Sequence, residues 1–177
     1  MPVVRAEQFP NRGAVTPPAL SGYEITGKLG EGCMGIVWRA RQLSTSREVA
    51  LKIINAAAFT SERVRLRFER EVELTARLEH FNITRVYDSG FERGLYFYAM
   101  ELVEGTDLES HLQATQADDR AKLAMMVKIC RAVQFAHQKG VIHRDLKPAN
   151  ILVAANNEPK ITDFGLRSEE HTSELQS

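Results

Sequence analysis

The stretch IHRDLKPANILV constrains this chain more than any other. Between apolar ends it packs His143, Arg144, Asp145, Lys147 and Asn150 into eight residues. Charges this dense, bounded by Val141–Ile142 on one side and Ile151–Val153 on the other, do not read as a solvated face. They call for a loop held at a cleft. Asp145 can accept a proton from a hydroxyl nucleophile, and Lys147 can neutralise a transferring phosphoryl group. Asn150 can coordinate a hard cation through its amide oxygen. His143 and Arg144 have plainer readings: a loop histidine more often holds backbone, and an arginine here can serve simply to pair with acidic neighbours.

The flanks of that loop predict its setting. Four of the six prolines fall in the first eighteen residues, so 1–20 reads as an extended leader. From Tyr23 the strands YEITGKLGEG, GIVWRA and EVALKII follow one another, the last two joined by the polar turn RQLSTSR. A helix then runs through SERVRLRFEREVELTARLEH with Ser61 as N-cap. ITRVYDSG and GLYFYAMELV pair as a hairpin around DSGFERG. The character changes at Glu104–Gly105. TDLESHL opens a short helix with a capping box from Thr106 to Glu109. A longer helix from about Asp119 carries Leu123, Met126, Val127, Cys130, Val133 and His137 on one face and stops at Gly140. Two short strands, ILV and KIT, close the pattern around AANNEP. The organisation is a β-rich lobe joined by one linker to a mostly helical lobe, with the cleft between them as the site.

Three further features point into that cleft. GEGCMG places Gly30, Gly32 and Gly35 between two strands, where backbone N–H groups can approach phosphates. Glycines also mark any tight hairpin. No helix follows the last glycine, which excludes a dinucleotide fold of the Rossmann type. Lys52 sits in VALKII, a strand apolar on both faces, so it either snorkels at an edge or meets an anion in the cleft. At about 100° per residue, Glu71 falls within the arc of Val64, Phe68, Val72, Thr75 and Leu78. A carboxylate on a buried stripe needs a cation, and Lys52 is the expected one; a glutamate at the stripe's edge would instead be solvated. Asp163 in TDFG follows a short strand and makes with Asn150 an oxygen-donor pair suited to Mg²⁺. A lone Asp-Phe-Gly can also be a simple turn.

Composition narrows the partners. Lys plus Arg and Asp plus Glu both number 23, so nothing marks a dedicated nucleic-acid or anionic-membrane binder. No apolar run approaches the roughly 18–20 residues of a bilayer span. The first residues lack the apolar core of a signal peptide. Two cysteines, Cys33 and Cys130, make neither a disulfide framework nor a metal-ligand spacing, which fits a reducing cytosol. The expectation is a cytoplasmic domain.

Glycine loop, strand lysine, helical glutamate, HRDLKPAN and DFG occur here in the order of the protein-kinase signature set. Over roughly residues 21–166 the chain resembles protein kinases, and LGEGCMGIVWRA with YAMELVEGTDLE resembles bacterial serine/threonine kinases of the eukaryotic-like type. The resemblance implies an α+β, two-lobe fold with a complete small lobe at 21–103 and the first part of the large lobe at 104–166. It implies ATP and Mg²⁺ as cofactors and a protein substrate phosphorylated on Ser or Thr. Gly30, Gly32 and Gly35 would cover the phosphates, and Leu29, Val37, Ala50 and Leu152 would sandwich the adenine. Met100 would stand at the back of that pocket, with backbone groups of Glu101 and Val103 on the adenine edge. Lys52, held by Glu71, would bind the α- and β-phosphates. Asp145 would orient or deprotonate the substrate hydroxyl, Lys147 would steady the γ-phosphate, and Asn150 and Asp163 would hold magnesium. His143 would be structural, and Arg144 would pair with a phosphorylated activation segment.

Two departures stand out. HFNIT replaces a usual proline and apolar residue at Phe81 and Thr84, which reads as peripheral. Cys33 at the tip of the glycine loop reads as tolerated variation. The segment Arg167–Ser177, RSEEHTSELQS, resembles the codon-for-codon translation of a common sequencing-library adapter and is expected not to belong to the protein. On that expectation the long helix exposes a face meant for partners the chain does not contain, and the 177 residues as written are inactive and poorly folded. Two other classes compete: a pseudokinase-like nucleotide-binding scaffold, and a small-molecule phosphotransferase, which would carry a sparser catalytic loop.

Overall fold

A computed structural model describes residues 16–32, 35–55, 59 and 61–164. Most of the leader, Cys33 and the segment 167–177 lie outside the described residues. The upper part is an antiparallel sheet of five strands in the order β1-β2-β3-β5-β4. Its strands are β1 (Tyr23–Gly32), β2 (Gly35–Gln42), β3 (Arg47–Asn55), β4 (Val86–Glu92) and β5 (Leu95–Glu101). Helix α1 (Glu62–Ala76) interrupts the strands after β3, and Ser61 caps it by accepting from the Val64 N–H at 3.3 Å. The β4–β5 hairpin is tighter than the sequence suggests. Ser89, Gly90 and Phe91 stay in register with Tyr98, Phe97 and Tyr96, and the turn shrinks to Arg93 and Gly94, both at positive φ.

Alternation along β3 divides the core in two. Val49, Leu51 and Ile53 pack with Trp38, Ala40 and Ala99 on one face. Ala50 and Ile54 turn to the other, where Phe68 and Val72 of α1 meet Tyr96, Tyr98 and Met100. Lys52 shares the second face and pairs directly across from Tyr98, as Ala50 does from Met100. One strand thus carries both an apolar lining and a cation toward the same side.

The lower part holds a small sheet, β6 (Gly105–Asp107), β7 (Ile151–Ala154) and β8 (Pro159–Ile161), with helices α2 (Leu108–Thr115) and α3 (Asp119–Gln138). The expected capping box does not form. Thr106 is drawn into β6 opposite Val153, and Asp107 caps α2 instead, accepting from the Ser110 N–H at 2.9 Å. In α3 the buried stripe is Met125, Ile129, Ala132 and Ala136. The apolar face expected from the sequence points outward, with Leu123 66% and Met126 52% exposed. The helix carries two apolar stripes. The one rich in alanine permits close approach to the core of Ile151, Val153 and Ile161, so it is the one that packs.

Of the two departures in HFNIT, Phe81 is exposed, as a peripheral position would be, but Thr84 is not peripheral. Asn82, Ile83 and Thr84 are buried, and they stitch the upper sheet's approach to β8. Asn82 donates to the Pro159 carbonyl at 2.8 Å, the Thr84 hydroxyl donates to that of Ile161 at 3.1 Å, and Ile83 bridges Ile161 in parallel. The threonine hydroxyl contributes a hydrogen bond that an apolar residue would not.

Gly35 shows what the glycine spacing secures. Its φ is +147°, and a Cβ there would stand 2.1 Å from the Ile53 carbonyl oxygen. Gly30 and Gly32 face open space and have ordinary φ. Gly35→Ala is therefore expected to cost about 2–3 kcal/mol, lowering Tm by roughly 5–10 °C, whereas Gly32→Ala should leave Tm within about 2 °C. Thermal denaturation of both variants checks the contrast.

Candidate functional site

The site is assembled where the two parts meet. Asp163 follows β8 with φ +57°, in the left-handed region that glycine, asparagine and aspartate adopt more readily than other residues. Two donors hold its carboxylate. Lys52 Nζ lies 2.7 Å from Oδ1, and the Tyr98 hydroxyl donates to the same oxygen at 3.2 Å. Lys52 is buried to 9% exposure, so its charge needs this partner. Burial, then the Asp163 charge beside it, pushes the Tyr98 phenol well above its ordinary value, which keeps it a proton donor.

The expected Lys52–Glu71 pair is absent. Glu71 points inward, as its place on the helix predicts, but it accepts from Arg144 and, at 3.3 Å, from Arg67 one turn before it on α1. Two guanidinium groups satisfy the glutamate, and Lys52 has its own carboxylate in Asp163. Arg144 itself is at φ +62°.

The charged loop is held from beneath. His143 is buried, bonds the Thr162 carbonyl through Nε2 at 2.8 Å, and accepts from the Asp145 N–H through Nδ1 at 3.3 Å. That pattern fixes the Nε2–H tautomer, and desolvation lowers the ring's pKa, so the histidine stays neutral and structural, as expected. Its ring packs on Phe164 at 4.6 Å between centroids. A short 3₁₀ turn, Pro148–Asn150, then brings Asn150 back over the loop. Asn150 Nδ2 donates to the Asp145 carbonyl at 2.8 Å and to Asp145 Oδ2 at 3.2 Å. Lys147 Nζ stands 3.0 Å from that same Oδ2. Thr162 N–H donates to the Asn150 carbonyl at 2.9 Å, so the loop and the Asp163 segment are tied backbone to backbone.

The remaining expected residues are spread over β1, β2, β3, β5, the segment that follows it, and β7. Val37 pairs with Lys52 across β2 and β3, and Ala50 and Met100 are buried beside it. Leu152 is half-buried on β7. Leu29 falls in a bulge of β1 and is 45% exposed. Glu101's N–H is spent on the Arg85 carbonyl at 2.8 Å, and its carboxylate pairs with Lys160 at 2.8 Å. Among the described residues, no backbone hydrogen bond outside helices and strands engages Val103.

The donor set fits a hard divalent cation. Asn150 bonds through Nδ2, leaving its amide oxygen to accept, and both side-chain hydrogen bonds to Asp163 among the described residues go to Oδ1. An amide oxygen and a carboxylate oxygen suit Mg²⁺, which keeps several waters and needs few protein ligands. No group of three or more His, Cys, Asp or Glu residues among the described ones forms a metal cluster. Likewise no helix there is long and apolar enough to cross a membrane.

Sequence comparison places this geometry. The protein kinase domain family matches residues 23–177. A serine/threonine-protein kinase, pkn3 of Myxococcus xanthus, is 42% identical over 150 residues, covering 81% of this chain and 27% of the relative. The serine/threonine-protein kinase PknB of Mycobacterium leprae is 39% identical over 158 residues, covering 85% and 25%. PknB of Mycolicibacterium smegmatis is 40% identical over the same length, with the same shares. The chain thus spans about a quarter of the length of the curated relatives it matches. Kinases of this family use ATP and Mg²⁺. By sequence and by architecture, this chain belongs to the protein kinase domain family.

Proposed function

We propose that the chain carries the phosphoryl-transfer site of an ATP-dependent kinase acting on Ser and Thr hydroxyls of proteins. The observation that carries this reading is the continuous network from Lys52 through Asp163 and Thr162 to Asn150, Asp145 and Lys147. It joins an anion-binding lysine, two oxygen donors for a cation and a carboxylate for a proton. Such a set suits transfer of a phosphoryl group, where positioning and charge stabilisation do most of the work.

In this reading Asp145 takes the proton of the incoming hydroxyl through its carboxylate, which Asn150 and Lys147 hold in place. Lys147 then faces the charge that builds on the transferring oxygens. Lys52 binds the inner phosphates, and the buried Ala50 and Met100 offer an apolar wall to the base. Asn150 and Asp163 would hold magnesium, which when bound draws negative charge from the phosphates. The lysine following Asp145 by two residues, together with the similarity to serine/threonine-protein kinases, supports serine and threonine as acceptors.

The Glu71–Arg144 pair favours a second reading for the 177 residues by themselves: Mg-nucleotide binding without transfer. A kinase site needs its strand lysine engaged by the helical glutamate. Here Glu71 must first exchange Arg144 for Lys52. The test is to incubate the full-length protein with γ-labelled ATP, Mg²⁺ and a generic protein acceptor. Label in phosphoserine or phosphothreonine is the expected result. A nucleotide-induced rise in Tm with no label would select the scaffold reading, and label confined to small molecules would overturn the protein-kinase one.

A further inference from the structure

Among the described residues Tyr98 is the largest fully buried side chain, 1% exposed at the centre of β5. A phenylalanine would fill the same space, so packing explains the ring but not the hydroxyl. A buried hydroxyl without a partner is costly, and the partner here is Asp163 Oδ1. The strand register sets Tyr98 directly opposite Lys52, whose Nζ lies 5.8 Å from the ring centroid. Ring, ammonium and carboxylate therefore form one unit. Asp163 itself sits just after β8 at φ +57°, and the two donors are what set the direction of its side chain.

We propose that Tyr98 is a positioning residue for the metal–nucleotide site: with Lys52 it fixes Asp163 through Oδ1 and so reserves Oδ2 for the cation. The proposal rests on the phosphoryl-transfer reading above. Lys52 supplies charge at Oδ1, but its long side chain has other rotamers and must also serve the nucleotide. The Tyr98 hydroxyl sits on a rigid ring locked between α1 and β3, so its direction is set by the fold. When Lys52 turns toward phosphate, Tyr98 is the donor that stays.

The test compares wild-type full-length protein with Tyr98→Phe, using Mn²⁺ as the metal probe and ADP as the nucleotide. Mn²⁺ binding is followed by water-proton relaxation, ADP binding by calorimetry in EDTA, and folding by Tm. Tyr98→Phe is expected to weaken nucleotide-dependent Mn²⁺ binding about tenfold, with ADP affinity in EDTA within about twofold and Tm within a few degrees. Tyr96→Phe, two residues away on the same strand, should leave Mn²⁺ binding as in wild type. Its hydroxyl meets Arg65 rather than Asp163. Equal Mn²⁺ affinity in wild type and Tyr98→Phe overturns the proposal, as does a parallel loss of metal-free ADP binding and Tm, which would mark a packing role. A wild type with no nucleotide-dependent Mn²⁺ binding overturns the underlying functional reading itself.

Discussion

Asp145→Asn should reduce kcat for phosphoryl transfer by about 10²–10⁴ while leaving nucleotide affinity nearly unchanged. The substitution is close to isosteric. Asp145 Oδ2 accepts from Asn150 at 3.2 Å and faces Lys147 at 3.0 Å. An amide keeps an oxygen able to accept both contacts, so the loop retains its shape. It cannot accept the hydroxyl proton. Asp145 is not among the residues assigned to the phosphates or to magnesium, and the amide keeps its contacts with Asn150, so nucleotide and metal binding should survive. Steady-state kinetics on the full-length protein, with KM for ATP measured beside kcat, separates these effects. A KM that rises as steeply as kcat falls would mean that Asp145 helps to bind nucleotide, and would count against the role of proton acceptor.

What could be read from the sequence was what short-range chemistry decides. β1 runs over the ten residues that the strand YEITGKLGEG predicts, and Ser61 caps α1, because both depend on neighbours in the chain. Lys52 stood out because a lysine in an otherwise apolar strand needs an anion, wherever that anion comes from. Its actual partner was not readable. Asp163 lies 111 positions away, whereas Glu71 lay on the right helical arc and was claimed by Arg144 from 73 positions away. Helical arithmetic gives the side of a helix a residue faces, not which of two cations reaches it first. The same limit applies to α3, where either apolar stripe satisfies the periodicity and the tertiary fit of alanines picks one. Thr106 illustrates local preference losing to a sheet, since pairing with β7 moves the cap one residue along to Asp107. Tyr98 left a faint trace: a tyrosine among apolar strand residues implies a hydroxyl seeking a partner, but only strand register shows that it faces Lys52.

The second large effect is expected at Lys52. Lys52→Met keeps the length and apolar stem of the side chain and removes its charge. Transfer should fall by about 10²–10³ through loss of a charge placed at the phosphates. Stability should fall as well, because among the described residues Asp163 then keeps only the Tyr98 hydroxyl as a side-chain donor. Removing one partner of a fully buried pair costs about 3–5 kcal/mol. The Asp163 side chain retains 29% of its exposure against 11% for Lys52, so water offsets part of that loss and about 2 kcal/mol is expected. The two effects can be pulled apart with the double variant Lys52→Met/Asp163→Asn. Neutralising both members removes the stranded charge, so Tm should recover much of what Lys52→Met lost, while transfer stays at background. Thermal melts and kinetics over the four proteins of this cycle give the coupling energy directly. A double variant whose stability losses simply add would show that Lys52 and Asp163 act independently. The ion pair would then be a contact of the resting cleft rather than the joint that unites its two halves.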